Sequence, residues 1–234
     1  MNSWKIEILP DTIQTLEYFS FIGGKPCIPE GEQIPICELC GLQQSFMLQI
    51  AFPSEHVWKG FSLAIFSCTS CADENHFIPK MLDGQLKNAD IPKGFLNNYQ
   101  KNFQFIVFPT GKGVVKDNYK EKVKFQAIEL KHSGDPLLPG NKIGGEPNWL
   151  LEDEAPATYD KTYSMHFLMQ LQSNFKFDLV EDAPKQIELD LMGDQAPSPF
   201  NHYVLFIGNA IYLFGTSPDG IDPPLVYAIT QVDR

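Results

Sequence analysis

The chain has 234 residues, with 29 acidic against 18 basic side chains and a formal charge of -11. So acidic a surface repels a phosphate backbone and an anionic bilayer at long range, which excludes nucleic acid and membranes as first partners and favours a basic protein. At 43% hydrophobic residues the chain is long enough to bury a core, so disorder is excluded as well.

Eighteen Pro and 17 Gly divide the chain into short segments, while 18 Phe and 8 Tyr favour strands over long helices. A mainly β fold, α+β only through a few short helices, is predicted. The opening residues, MNSWKIEILPDTIQ, lack the basic start and apolar stretch of a signal peptide, and no segment reaches the ~18 apolar residues of a bilayer span. A cytoplasmic location is therefore expected.

In chain order, "IEI" (6–8) reads as an edge strand. "DTIQTLEYF" (11–19) begins on an Asp N-cap and is predicted to form a short helix. A Gly-Gly-x-Pro turn follows at Gly23, Gly24 and Pro26. Five cysteines come next, and four of them form two C-x-x-C pairs, Cys37 with Cys40 and Cys68 with Cys71. In a reducing compartment such pairs read as metal ligands, with reduced or disulfide-linked pairs as the alternative. Each C-x-x-C turn aims two thiolates at one point, and Gly41 lets the first turn take a left-handed residue.

The 27 residues between Cys40 and Cys68 hold two strand-like runs, "SFMLQIAF" and "FSLAIFS", whose hairpin would return the second pair to the first. The pattern predicts one structural zinc per chain, held by Cys37, Cys40, Cys68 and Cys71 in a zinc-ribbon-like insertion over about 33–80. With all four positions filled by protein, the metal would stabilise rather than catalyse. Cys27 reads as a small buried residue, and His56 and His76 as packing or surface histidines.

Further along, "PKGFLNNYQKNF" (92–103) is predicted to be a second short helix, and "PTGKGVVKDNYKEKVK" (109–124) a connector. The connector's "GKGVV" lacks the remainder of a phosphate-binding loop and reads as a turn. Residues 22–50 then match 143–171 without a gap at an offset of 121: Ile22/Ile143, Gly23/Gly144, Gly24/Gly145, Pro26/Pro147, Pro35/Pro156, Phe46/Phe167 and Gln49/Gln170. Outside that window "IEI" lies over "IEL" (128–130), "LAIFS" (63–67) over "VLFIG" (204–208), and "FQFIVF" (103–108) takes the place of "LVYAI" (225–229).

Two β-rich units, 1–115 and 116–234, packed as one globular body, are expected. Thr158 and Lys161 stand opposite Cys37 and Cys40, so metal belongs to the first unit alone. Gly23, Gly24, Pro26, Gly144, Gly145 and Pro147 read as turn residues. Gln49 and Gln170, amides inside apolar strands, are predicted to bond the backbone of their own turns.

These motifs resemble two related groups. From "KIGGEPNW" through "HFLMQLQS" to "VLFIGNAIYLF" the second half is similar to the bacterial YwqG-like family. The first half, "IGGKP", "CELCG", "FMLQI" and "FSCTSC", resembles the zinc-bearing part of the eukaryotic programmed-cell-death-protein-two family. The resemblance implies a β-rich, internally duplicated fold without known catalytic activity. It implies chaperoning of a basic ribosomal protein in the eukaryotic group and accessory or immunity roles beside toxin genes in the bacterial one. Family members have a Trp two residues after the turn proline, matched by Trp149, whereas the first half has Ile28.

No nucleophile elbow or metalloprotease helix is present, and the acids of "LLEDEAP" with His166 or His202 read as a solvated loop rather than an acid–base set. A non-enzymatic, zinc-stabilised module that captures a basic protein is the expected function, as an immunity protein, inhibitor or chaperone. Trp149, Glu152, Asp153 and Glu154 are its candidate contacts. The competing expectation is a small-ligand binder or enzyme using a cleft between the two units.

Overall fold

Runs rich in Phe, Ile, Val and Tyr become strands, and in the computed structural model, which describes residues 2–232, ten of them form one continuous antiparallel path. They are β1 (Ser3–Leu9), β2 (Phe21–Ile22), β3 (Ser45–Ala51), β4 (Phe61–Ser67), β5 (Phe103–Pro109), β6 (Gln126–Ser133), β7 (Lys142–Gly144), β8 (Tyr163–Leu171), β9 (Ala210–Thr216) and β10 (Val226–Gln231). Their order across the sheet is β10-β9-β8-β7-β1-β6-β2-β3-β4-β5. Two short strands, Asp90–Ile91 and Thr158–Tyr159, pair in parallel beside β8.

The order reads the same from both ends when β2 is exchanged for β7, β3 for β8, β4 for β9, β5 for β10 and β1 for β6. At the centre β1 and β6 run antiparallel with Glu7 opposite Glu129. Each central strand sits beside the other half: β1 pairs with β7, and β6 pairs with β2. A cut at 115/116 therefore passes through one sheet. Trp58 ties the halves further, because its fully buried ring lies where a Cβ on Gly215 would be, and its indole N–H donates to Thr216 O at 2.9 Å.

Local details repeat as well. Both β3 and β8 shift register, between Phe46 and Leu48 and between Phe167 and Met169, positions 121 apart. In both Gly-Gly turns the two residues are left-handed, with φ of 57° and 66° at Gly23 and Gly24 and 65° and 70° at Gly144 and Gly145. A Cβ on Gly23 would stand 2.3 Å from Lys124 O, and one on Gly145 2.4 Å from Pro136 O, so no other residue fits either turn. Gly24 N–H donates to Val123 O and Gly145 N–H to Asn2 O, each at 2.9 Å and each across to the opposite half.

Strands β3, β4 and β5 are buried on both faces. Leu63, Ile65, Phe103 and Phe105 join the larger core, while Ala64, Phe66, Ile106 and Phe108 join a second core with Phe21, Ile28 and Tyr119. Two-sided burial is why these runs are continuously apolar instead of alternating.

Four expectations are corrected. No helix forms at 11–19: Ile13 and Leu16 are exposed, and side chains there bind backbone elsewhere, Gln14 to both the N–H and C=O of Lys25, and Thr12 to Ala127 N–H. Over 92–103 only a single 3-10 turn, Phe95–Asn98, appears, because Gly94 is left-handed and Tyr99 turns inward to bond Ala228. "VLFIG" is not the counterpart of "LAIFS"; Phe206–Gly208 is a 3-10 turn, and Ala210–Thr216 supplies the strand. The 33–80 segment also differs from a separate inserted ribbon, since β3 and β4 belong to the main sheet and only the cysteine turns project from their ends.

Candidate metal centre

The two C-x-x-C turns meet at the end of β3 and β4. Before β3, an Ile36–Gln43 bridge closes a small loop in which Cys37 N–H donates to Leu42 O and Gly41 N–H to Cys37 O, both at 2.9 Å, with Gly41 left-handed at φ 74°. After β4, Cys68 N–H donates to Asn102 O at 2.7 Å, and Ser70 N–H points at the Cys68 sulfur at 3.4 Å. The four Sγ atoms lie within 4.8 Å of one another, with Cys37–Cys71 at 3.8 Å, Cys40–Cys68 at 3.6 Å and Cys68–Cys71 at 3.5 Å. A tetrahedral ion with metal–sulfur bonds of about 2.3 Å needs edges of about 3.8 Å, so the cluster fits one metal ion with no ligand position left open.

The thiols are poised unequally. Burial raises the pKa of Cys68 to about 11 and, with help from the neighbouring thiols, that of Cys71 higher still. For Cys40 burial acts in the same direction, but the Leu42 N–H and hydrogen bonds from the other three thiols outweigh it and leave the pKa below the ordinary value. A bound cation would offset the burial that disfavours the thiolates of Cys68 and Cys71. Among the described residues this is the one group of three or more His, Cys, Asp or Glu whose ligand atoms converge. His76 is held by Asp73 at 2.7 Å, His56 lies in a different cavity, and the half-buried Cys27 pairs with Val115 on a separate ribbon.

Cys68 and Cys71 also form part of the wall of a groove of about 780 Å³. Its rim carries Phe77, Phe200 and Ile207, which are 41%, 56% and 57% exposed. Phe206 and Ile207 are left-handed, with φ of 47° and 55°, a conformation a β-branched residue rarely adopts, and it turns Ile207 outward. Asp73, Glu188 and Lys176 supply the charges, and the hairpin Ile187–Leu189/Gln195–Pro197 beside them carries Leu191 and Met192, both exposed, at its tip. Sequence reasoning missed this groove because its residues come from five separate segments.

The loop expected to make contacts is largely engaged within the fold. Trp149 is half-buried, 4.4 Å from the Tyr212 ring and stacked on Phe214 at 6.0 Å. Gln231 gathers the following residues, accepting from Leu150 and Leu151 N–H and donating to Glu152 O and a Glu154 carboxylate oxygen. Asp153 caps Ala155 N–H and pairs with Lys87. Pro26 is buried and Pro147 half-buried behind their glycine pairs.

A second cavity, about 970 Å³, opens between the halves, with Trp4, His56 and Lys59 on one side and Gly144, His166 and Phe214 on the other. His56 stacks on Phe52, accepts from Trp58 N–H at Nδ1, and is held neutral by burial and the nearby His166, its pKa pushed down to about 4. His166 Nε2 and Ser217 Oγ are 2.8 Å apart. No protein-family model matches the chain, and no curated protein sequence matches it. No helix of the described residues is long and apolar enough to cross a membrane.

Proposed function

We propose that the chain is a non-enzymatic binding protein whose four cysteines hold one zinc ion and whose adjoining groove captures an extended, basic segment of a partner protein, as a chaperone or inhibitor does. The observation that carries this reading is the shared wall, because Cys68 and Cys71 belong both to the metal cluster and to a groove rimmed by exposed apolar side chains. Zinc suits an all-thiolate tetrahedron and would stiffen that wall without taking part in chemistry. The charge of -11 supplies steering toward a basic partner, and the resemblance to chaperone and immunity families points the same way.

Panning a random phage-displayed peptide library on the zinc-loaded protein tests this reading. Enriched peptides should be cationic with one or two apolar anchors, and Ile207→Asp or Phe200→Asp should weaken them about 30-fold, the loss of one hot-spot contact. Acidic consensus peptides, or equal binding to both variants, would refute it. The second reading, a small ligand in the cavity between the halves, is favoured by the His166–Ser217 pair; turnover of ester substrates lost in Ser217→Ala would select it.

A further inference from the structure

A four-thiolate site holding a divalent zinc ion carries two net negative charges, and half of this one is buried, since Cys37 and Cys68 are almost fully covered. Such a charge needs a nearby cation or a dense shell of N–H donors. The chain supplies a cation from an unexpected place. Lys122, in the connector that leads into the second half, extends its ammonium to Ser45 Oγ at 3.1 Å and to Gln43 O at 3.5 Å, both in the few residues that follow Cys40. Ser45 Oγ in turn shares a 2.7 Å hydrogen bond with Thr69 Oγ1, and Thr69 stands between Cys68 and Cys71. Ser45 and Thr69 are both buried, so the ammonium is joined to both cysteine turns through groups screened from water.

Lys122 is itself held firmly. Its carbonyl accepts from Val180 N–H at 3.0 Å, Lys124 N–H donates to Asp178 O at 2.7 Å, and Val123 bridges to Leu179 and accepts from Gly24 N–H. Three residues earlier, the Tyr119 hydroxyl accepts from Phe46 N–H at 2.8 Å within β3. Burial holds the pKa of Lys122 below the ordinary lysine value, and the Cys68 and Cys40 sulfurs act against that shift.

We propose that Lys122 is the counter-ion of the metal centre, a positioning residue through which metal loading in the first half fastens the segment 116–124 and its anchorage to residues 178–180 in the second. The inference rests on the zinc assignment above. The half-buried ammonium has only hydroxyl and carbonyl partners from the chain itself; with metal bound it also faces a dianion.

The test uses the full chain loaded with one zinc, with release followed by 4-(2-pyridylazo)resorcinol. Lys122→Met should release zinc about 10- to 100-fold faster than wild type, the range for losing an outer partner of a metal ligand, and Lys122→Arg should stay near wild type. The thermal midpoint of the chelated, metal-free form should be the same for wild type and Lys122→Met, a result that a merely structural lysine would not give. Hydrogen exchange on the wild type needs no variant, and zinc loading should slow the amides of residues 119–124 along with those of the cysteine turns. Equal release from Lys122→Met and wild type, or protection confined to the cysteine turns, would overturn the role of Lys122 while leaving the zinc site standing. A wild-type chain that takes up no zinc would overturn both.

Discussion

Gln49 and Gln170 donate to backbone carbonyls that are themselves counterparts: Gln49 Nε2 to Phe19 O at 3.1 Å and Gln170 Nε2 to Gly140 O at 2.8 Å, with 121 positions separating both the glutamines and their acceptors. The two amides are nevertheless satisfied unequally. Gln170 Oε1 also accepts from Asn148 N–H, just beyond the second Gly-Gly-x-Pro turn, whereas Gln49 Oε1 is buried with no described protein partner. Gln170→Leu should therefore destabilise by about 3 kcal/mol, since it strands a donor and an acceptor, and Gln49→Leu by about 1 kcal/mol. Urea unfolding measures both, and peptide binding in the groove should be unchanged in each.

Chelation and Cys37→Ser should lower stability by the same amount, and the two together by no more than either alone, because each removes the same bound metal. The loss should appear in one cooperative transition, since β3 and β4 lie within the single sheet. Differential scanning calorimetry with and without chelator checks this.

Acid should weaken the fold through His56. Its pKa in the folded protein is about 4 against an ordinary value of 6.5, so between these values the unfolded chain binds the proton first. The stability that neutral His56 contributes is present above pH 6.5, falls as the pH drops through that window, and is gone below about 4. The gap corresponds to about 3 kcal/mol. Urea midpoints from pH 7 to pH 4.5 should fall less steeply in His56→Phe, which keeps the stack on Phe52 but strands Trp58 N–H.

Glycine variants should separate two demands. Gly41→Ala meets no atom within 4 Å and bears only the left-handed backbone, about 1 kcal/mol. Gly23→Ala meets the Lys124 carbonyl as well and should cost more than twice as much, or fail to fold.

Several of these relationships were legible in the sequence, and the reason differs for each. The cysteine cluster was, because ligand spacing is a local signal and the strands between the pairs return as a hairpin. The β class was, because Phe-rich runs broken by Pro and Gly have few other outcomes. Exchange of β1 and β6 was not, since nothing in "IEI" says which neighbour it will find. Nor was the segment 11–19 read correctly, where Asp11 looks like a helix cap but Thr12 and Gln14 serve as backbone partners for distant segments. The groove depends on left-handed Phe206 and Ile207, residue types that give no warning of such a turn.

Strand exchange leads to an expectation about fragments. Residues 1–115 retain β1 without either neighbour, and 116–234 retain β6 without β1 or β2. Each fragment alone should aggregate or remain unfolded, while co-expression should restore a soluble one-to-one complex. Size-exclusion chromatography of the separate and mixed fragments measures it.

The most direct measurement is cadmium-113 NMR of the chain with cadmium in place of zinc, titrated with a cationic peptide selected on the zinc form. A single resonance in the range of four thiolate ligands, moving on peptide addition and still in Ile207→Asp, is the expected result. A resonance typical of fewer sulfur ligands, or one unmoved at saturating peptide, would contradict a metal centre that walls the binding groove.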